Sequence, residues 1–147
     1  MKILLAADHG GFELKNKIAV YLKNNNHEVI DLGNENYDPL DDYPDFAIKM
    51  GKSISEGVAK IGILICGSGV GACVTANTIK GVRASVCHDS YSARQGVEHD
   101  DMNVICFGAR IIGDALAYDL VNDFINAKFF NEGKYLRRLK KITDLEK

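Results

Sequence analysis

Residues 61–66, Ile-Gly-Ile-Leu-Ile-Cys, form an apolar run without alternation, and Gly-Ser-Gly-Val-Gly follows at once at 67–71. A run of this kind reads as a strand covered on both faces, which is how strands of parallel sheets are buried. Parallel strands need long crossovers, normally helical, so the segments between strands must carry helices. They do. Lys2–Ala7, Glu28–Leu32, Arg83–Cys87 and Val104–Phe107 read as four further strands. Glu13–Asn24 carries Leu14, Ile18 and Leu22 at four-residue spacing, and Phe46–Glu56 reads as a helix. A short helix is expected from about Ala72. Asp89 or Ser90 can cap another that runs to about His99. Asp114–Asn126 sets Ala117, Leu120, Val121 and Phe124 on one helical face. Gly33–Asp45 is polar, holds both prolines and reads as a loop. Leu136, Leu139, Ile142 and Leu145 recur every three residues and predict an amphipathic C-terminal helix. The expected fold is α/β: a single doubly wound, Rossmann-like, five-stranded parallel sheet with helices on both faces, plus that C-terminal helix.

A chain of 147 residues suits one domain spanning 1–147. Its 46% hydrophobic and 26% charged residues are globular in balance. A net charge of -2 implies no general attraction to nucleic acid. No apolar run reaches the roughly 18 residues of a membrane-spanning helix, and MKILLAADHGGF has no signal-peptide pattern. None of Cys66, Cys73, Cys87 and Cys106 forms a CxxC pair, so all read as reduced, in a cytoplasmic protein. Charge is uneven, however: residues 134–147 carry a net +4 and the remaining 133 carry -6. A solvated helix face is the ordinary reading of such a basic run. Anion binding, or docking on a neighbouring subunit, are the alternatives.

In doubly wound sheets ligands bind beyond the carboxyl ends of the strands. That rule selects Asp8–His9, Gly33–Tyr43, Cys66–Gly71, His88–Asp89 and Gly108–Arg110. The alternating glycines after Cys66 let backbone N–H groups converge on an anion at a helix start; a tight turn needing only small residues is the bland alternative. The spacing is GxGxG rather than GxGxxG, and no GxxxxGK[ST] occurs, so neither a dinucleotide site nor a P-loop is expected. Cys66 faces those N–H groups, a setting that favours a thiolate, either for covalent chemistry with His99 as its partner or to take a proton from carbon. The other cysteines read as ordinary buried ones. Asp8 and His9 can bind sugar hydroxyls, or Asp8 can merely cap the next helix. His99 is expected at a helix end within reach of the same rim, where a histidine can exchange protons near neutral pH. His27 reads as a surface residue and His88 as a rim residue without an evident partner. Arg110, with Lys134 and Arg138 on one face of the last helix, can hold a phosphate dianion; solvated surface charge is the alternative for the latter two.

MKILLAADHGG at 1–11, DYPDFA at 42–47, GILICGSGVG at 62–71 and EHDDMNVICFGAR at 98–110 resemble ribose-5-phosphate isomerase type B, a family shared with galactose-6-phosphate isomerase subunits. The resemblance covers nearly the whole chain, in order and in spacing. It implies a homodimer or tetramer with sites shared across the interface, and a pentose-phosphate-pathway isomerase that joins D-ribose 5-phosphate to D-ribulose 5-phosphate through an enediolate. It further implies Cys66 as the carbon base and His99 as the ring opener, with Ser68 in the place of an assisting threonine. The backbone of Gly67, Ser68, Gly69, Val70 and Gly71 then forms the anion hole, Asp8, His9 and Tyr43 touch the sugar, and Arg110 and Arg138 grip phosphate. Two positions depart from the family pattern. Lys134 replaces an arginine and loses its bidentate fork. Asp100 replaces an asparagine, so it is expected to be protonated, turned away, or paired with Lys134, Arg137 or Arg138.

The roles are chemically coherent: ring opening, proton abstraction, oxyanion stabilisation and a remote phosphate grip on one rim. No metal-ligand spacing is present, and no cofactor is expected. Isomerisation of galactose 6-phosphate or allose 6-phosphate is the nearest alternative; a non-catalytic sugar-phosphate-binding subunit or a Cys-dependent hydrolase is more distant. Residues 134–147 are expected to reach a neighbouring subunit and complete its phosphate site.

Overall fold

Each apolar run becomes a strand: β1 (Lys2–Ala7), β2 (Glu28–Asp31), β3 (Ile61–Cys66), β4 (Ala84–Val86) and β5 (Val104–Gly108). The computed structural model describes residues 1–146 and pairs these strands in the order β2-β1-β3-β5-β4, all parallel. The helices are α1 (Phe12–Asn24), α2 (Tyr43–Ser55), α3 (Val70–Ala76), α4 (Ser90–Asp100), α5 (Asp114–Asn126) and α6 (Gly133–Thr143). From β2 to β3 and from β3 to β4 the chain crosses the sheet in one direction. From β1 to β2, and from β4 to β5, it crosses in the other. Because such crossovers are right-handed, a reversal of direction moves the helix to the opposite face. Thus α2 and α3 cover one face, while α1, α4 and α5 cover the other.

Both faces of the three central strands, β1, β3 and β5, are therefore core. Ile3, Leu5, Ile63, Ile65 and Phe107 point to the α1/α4/α5 layer, and Leu4, Ala6, Leu64, Cys66 and Cys106 to the α2/α3 layer. Alternate side chains leave opposite faces, so burial of both removes any polar alternation. The direction of winding changes between β1 and β3, and a crevice opens beyond their carboxyl ends.

Several boundaries differ from expectation. Helix α2 starts at Tyr43 rather than Phe46, because Pro44 sits in its first turn, where a missing N–H costs nothing. Helix α3 starts at Val70 rather than Ala72, with Gly69 before it in the left-handed region at φ 81°. A Cβ there would lie 2.9 Å from the Phe107 carbonyl carbon, so both space and backbone demand glycine. Helix α6 packs on α4 yet buries none of its residues, and Leu136 and Ile142 stay exposed. Lys147, the last charge of the basic tail, lies outside the described residues. No helix among the described residues is long and apolar enough to cross a membrane. The four cysteines are free.

Asp8 and Lys15 are the charged side chains buried among the described residues. Lys15 Nζ donates to both Asp31 oxygens, at 2.9 and 2.7 Å, and to the Asn34 carbonyl at 2.7 Å. The Lys15 side chain is 1% exposed, so removing its counter-charge strands the ammonium in the core. Asp31→Ala is expected to lower unfolding stability by about 3 kcal/mol. Urea denaturation would measure this as a lower midpoint at constant slope.

Candidate active site

The crevice at the β1/β3 switch holds a cleft of about 340 Å³, small-metabolite size. Four elements supply its walls. Asp8, His9 and Gly10 come after β1, Cys66 from the end of β3 with Gly67, Ser68 and Gly71 just beyond it, Arg110 and Ile111 after β5, and Tyr43 from the start of α2. A Cβ on Gly71 would come within 2.7 Å of the Tyr43 ring, so this glycine is what lets the tyrosine close over the loop.

Cys66 is 5% exposed, and its Sγ accepts a hydrogen bond from Gly69 N–H at 3.0 Å. The Ser68 hydroxyl oxygen accepts from Val70 N–H at 3.2 Å. The loop is tied to β5 by Ala109 N–H on the Cys66 carbonyl and Arg110 N–H on the Gly67 carbonyl. The Cys66 sulfur, the backbone of Gly67, Ser68 and Gly71, and the exposed Arg110 thus share one cleft at a helix start. Such a site can remove a proton from carbon and hold the oxyanion that results.

Asp8 does cap the turn that leads into α1, accepting from Gly11 N–H at 3.3 Å. Burial pushes its carboxyl up, against the opposing pull of His9 and the turn N–H groups. His9 is pushed up, chiefly by its hydrogen bond to Asp41. Burial would raise Asp41, but the His9 N–H and ring together with the Asn34 amide outweigh it and hold the carboxyl low. Ligand atoms of Asp8, His9 and Asp41 lie within 4.8 Å of one another. His9 Nδ1 is nevertheless turned to Asp41 at 2.6 Å, so the group is a hydrogen-bonded dyad beside a helix cap rather than an open ligand set.

Of the expected site residues, Gly69 and Val70 do not line the cleft, their N–H groups being turned to Cys66 Sγ and the Ser68 hydroxyl, and neither do His99, Asp100, Lys134 or Arg138. Helix α4 starts beyond the carboxyl end of β4 and ends where the chain re-enters the sheet at β5, so His99 sits at the opposite end of the strands. The separation is on the order of 15 Å, the length of a five-residue strand. The expectation that His99 reaches the rim of its own chain is therefore corrected: an α/β helix returns the chain to the other edge. There His99 packs at a tilt against Tyr135 and Phe130, at 4.7 and 5.6 Å between centroids, and its Nδ1 pairs with Gln95 at 2.8 Å. Lys134 lies over the Tyr135 ring at 5.1 Å, and Arg138 is exposed one turn further along α6. Asp100 is exposed and makes no ion pair among the described residues, so the expected pairing with Lys134, Arg137 or Arg138 does not form within the chain. It borders a cleft of about 480 Å³ between Asn77–Ala84 and the end of α6, which contains no residue from the carboxyl ends of the strands.

Other polar residues find partners that spacing does not reveal. His88 Nε2 accepts from Gly108 N–H at 2.9 Å, so this histidine has a structural partner after all. Arg83 donates to the Asp101 carbonyl and carboxylate at 2.7 and 2.6 Å and locks the turn after His99. Cys73 is not an ordinary buried cysteine: it is half-buried, its Sγ faces the Ala84 carbonyl at 3.5 Å, and the neighbouring Cys106 thiol brings it down to about 7. It lies outside the cleft. Asp41 was hidden in an acidic loop where Asp38, Asp41 and Asp42 are equally eligible by spacing.

Residues 3–142 match the Ribose/Galactose Isomerase family. This chain belongs to that family. Ribose-5-phosphate isomerase B of Escherichia coli is 39% identical over 145 residues, covering 99% of this chain and 96% of the relative. The Clostridium thermocellum ribose-5-phosphate isomerase B structure superposes with a TM-score of 0.95 at 42% identity, covering 99% of this chain and 97% of that one. The Mycoplasma genitalium ribose-5-phosphate isomerase B structure, with bound ribulose-5-phosphate, superposes at 0.93 with 40% identity, covering 99% and 95%. The family's fold is thus the five-stranded parallel α/β sheet described above.

Proposed function

We propose that this single-domain protein interconverts D-ribose 5-phosphate and D-ribulose 5-phosphate, with Cys66 as the base that acts on carbon. The observation that carries the reading is the Cys66 Sγ at the end of β3, 3.0 Å from Gly69 N–H, in a cleft shared with His9 and Arg110. In the open-chain aldose the C2 proton goes to sulfur and its electron pair forms the C1–C2 double bond. The resulting O1 oxyanion lies against the N–H groups of Gly67–Gly71. The proton then returns to C1 while another passes from O2 to O1, so no external oxidant or reductant is needed. Asp8, His9 and Tyr43 hold sugar hydroxyls, and Arg110 takes part of the phosphate charge.

A ring opener and the rest of the phosphate grip have to come from elsewhere, because the chain's own His99, Lys134 and Arg138 lie at the far end of the sheet. A homodimer in which each cleft receives these residues from the partner supplies both. The amphipathic α6 with nothing buried, and the exposed Val70 and Val74 one turn apart on α3, support such a partner. The pathway and a cytoplasmic location follow as part of the same reading.

Incubation of the pure protein with ribose 5-phosphate, allose 6-phosphate and galactose 6-phosphate, followed by NMR, tests it. Ribulose 5-phosphate is expected as the fastest-formed ketose. A preference for either hexose phosphate would reassign the substrate, and binding without any ketose would make the chain a sugar-phosphate-binding subunit.

A further inference from the structure

The loop between β2 and α2 turns inward one carboxylate that no step above uses. The Asp41 side chain is 8% exposed. Its Oδ1 accepts from His9 N–H at 3.0 Å and pairs with His9 Nδ1 at 2.6 Å, while Oδ2 accepts from the Asn34 amide at 2.9 Å. The loop is braced from behind, since Lys15 grips the Asn34 carbonyl and Asp31 accepts from Gly33 N–H at 2.9 Å. A carboxylate facing Nδ1 keeps the hydrogen on that nitrogen and leaves Nε2 for the cleft that His9 lines.

We infer that Asp41 is a positioning residue for the isomerisation, holding His9 with Nδ1 protonated so that Nε2 serves the bound sugar phosphate. The inference rests on the phosphosugar reading of the cleft. Asp8 and Asp41 favour the imidazolium form of His9, whereas Arg110 and partial burial oppose it. The Tyr37 ring meets His9 edge-on at 6.4 Å, and across the adjoining groove lie Glu13 and the Lys17–Asp114 pair. The Asp41 hydrogen bond is the largest of these influences and raises His9. His9 thus keeps an Nε2–H donor beside Arg110 at lower pH and loses it as pH rises through its midpoint. Replacing the carboxylate by an amide moves that loss to lower pH.

The test is an NMR titration of the histidine rings in the full chain and in Asp41→Asn, with the His9 signal identified by its absence in His9→Gln. The His9 midpoint is expected to fall in Asp41→Asn, and the high-pH limb of kcat/KM to move down with it. KM at neutral pH should rise about fivefold while kcat changes less than about threefold, and Asp41→Glu should recover part of the loss. A midpoint that stays put, or one that moves while the kcat/KM profile does not, overturns the proposal. If Asp41→Asn does not fold, the ring nitrogen shifts of the unaltered protein decide: neutral His9 carrying its hydrogen on Nδ1 supports the assignment, and on Nε2 overturns it. Absence of isomerase activity in the unaltered protein would overturn the reading of the cleft, and with it Asp41's role in catalysis. The titration would still report whether the dyad exists, so the two failures are separable.

Discussion

Cys66→Ala is expected to lower kcat by about a thousandfold while leaving fold and phosphosugar affinity nearly unchanged. The thiol is 5% exposed and its Sγ accepts from Gly69 N–H, but the loop around it is held by backbone bonds that need no side chain. Ala109 N–H on the Cys66 carbonyl and Arg110 N–H on the Gly67 carbonyl both survive the substitution. On the proposed reading the phosphate end of the substrate is gripped by other groups, so ground-state binding is expected to lose little. What disappears is the base, which acts only when the C–H bond breaks, and a loss confined to the transition state falls on kcat. Calorimetric titration with ribulose 5-phosphate should give a Kd within about threefold of the unaltered protein. Near-normal turnover would make the sulfur a packing atom, and the assignment would have to be abandoned.

Hybrid dimers should recover activity from two inactive parents. Cys66→Ala and His99→Ala are each expected to be nearly inactive as homodimers, since every cleft then lacks either the base or the ring opener. A hybrid of the two, purified through different tags on each chain, has one cleft built from an intact Cys66 and the partner's intact His99. Its other cleft lacks both. Twofold symmetry therefore predicts about half of the unaltered specific activity. The arithmetic is different if each chain completes its own site, because both clefts of the hybrid would then lack one group and no activity would return. The position of His99 at the end of α4, on the order of a strand length from Cys66, makes the first outcome the expected one.

The sheet and its layers were legible because burial is repeated locally. Each central strand of a doubly covered sheet needs an unbroken apolar run, and IGILIC at 61–66 announces one within six residues. The positions just after β1, β3 and β5 then follow from the winding rule, which is why Asp8, His9, Cys66 and Arg110 could be named in advance and meet in one cleft. The family, too, could be recognised from the order and spacing of its motifs. Partnerships between distant polar groups were not legible. Asp41 reaches His9 across 32 positions, and His88 reaches Gly108 across 20, through loop shapes that no period encodes. His99 shows the same limit from the other side. A motif read along the chain puts it beside the residues of the cleft, but a helix between parallel strands must carry the chain back to the opposite edge of the sheet. Sequence alone decides which residues are buried and which loops gather at the carboxyl edge, because hydrophobic periodicity is a local property. Which charges pair, and which end of the sheet a residue occupies, depend on where the whole chain has gone.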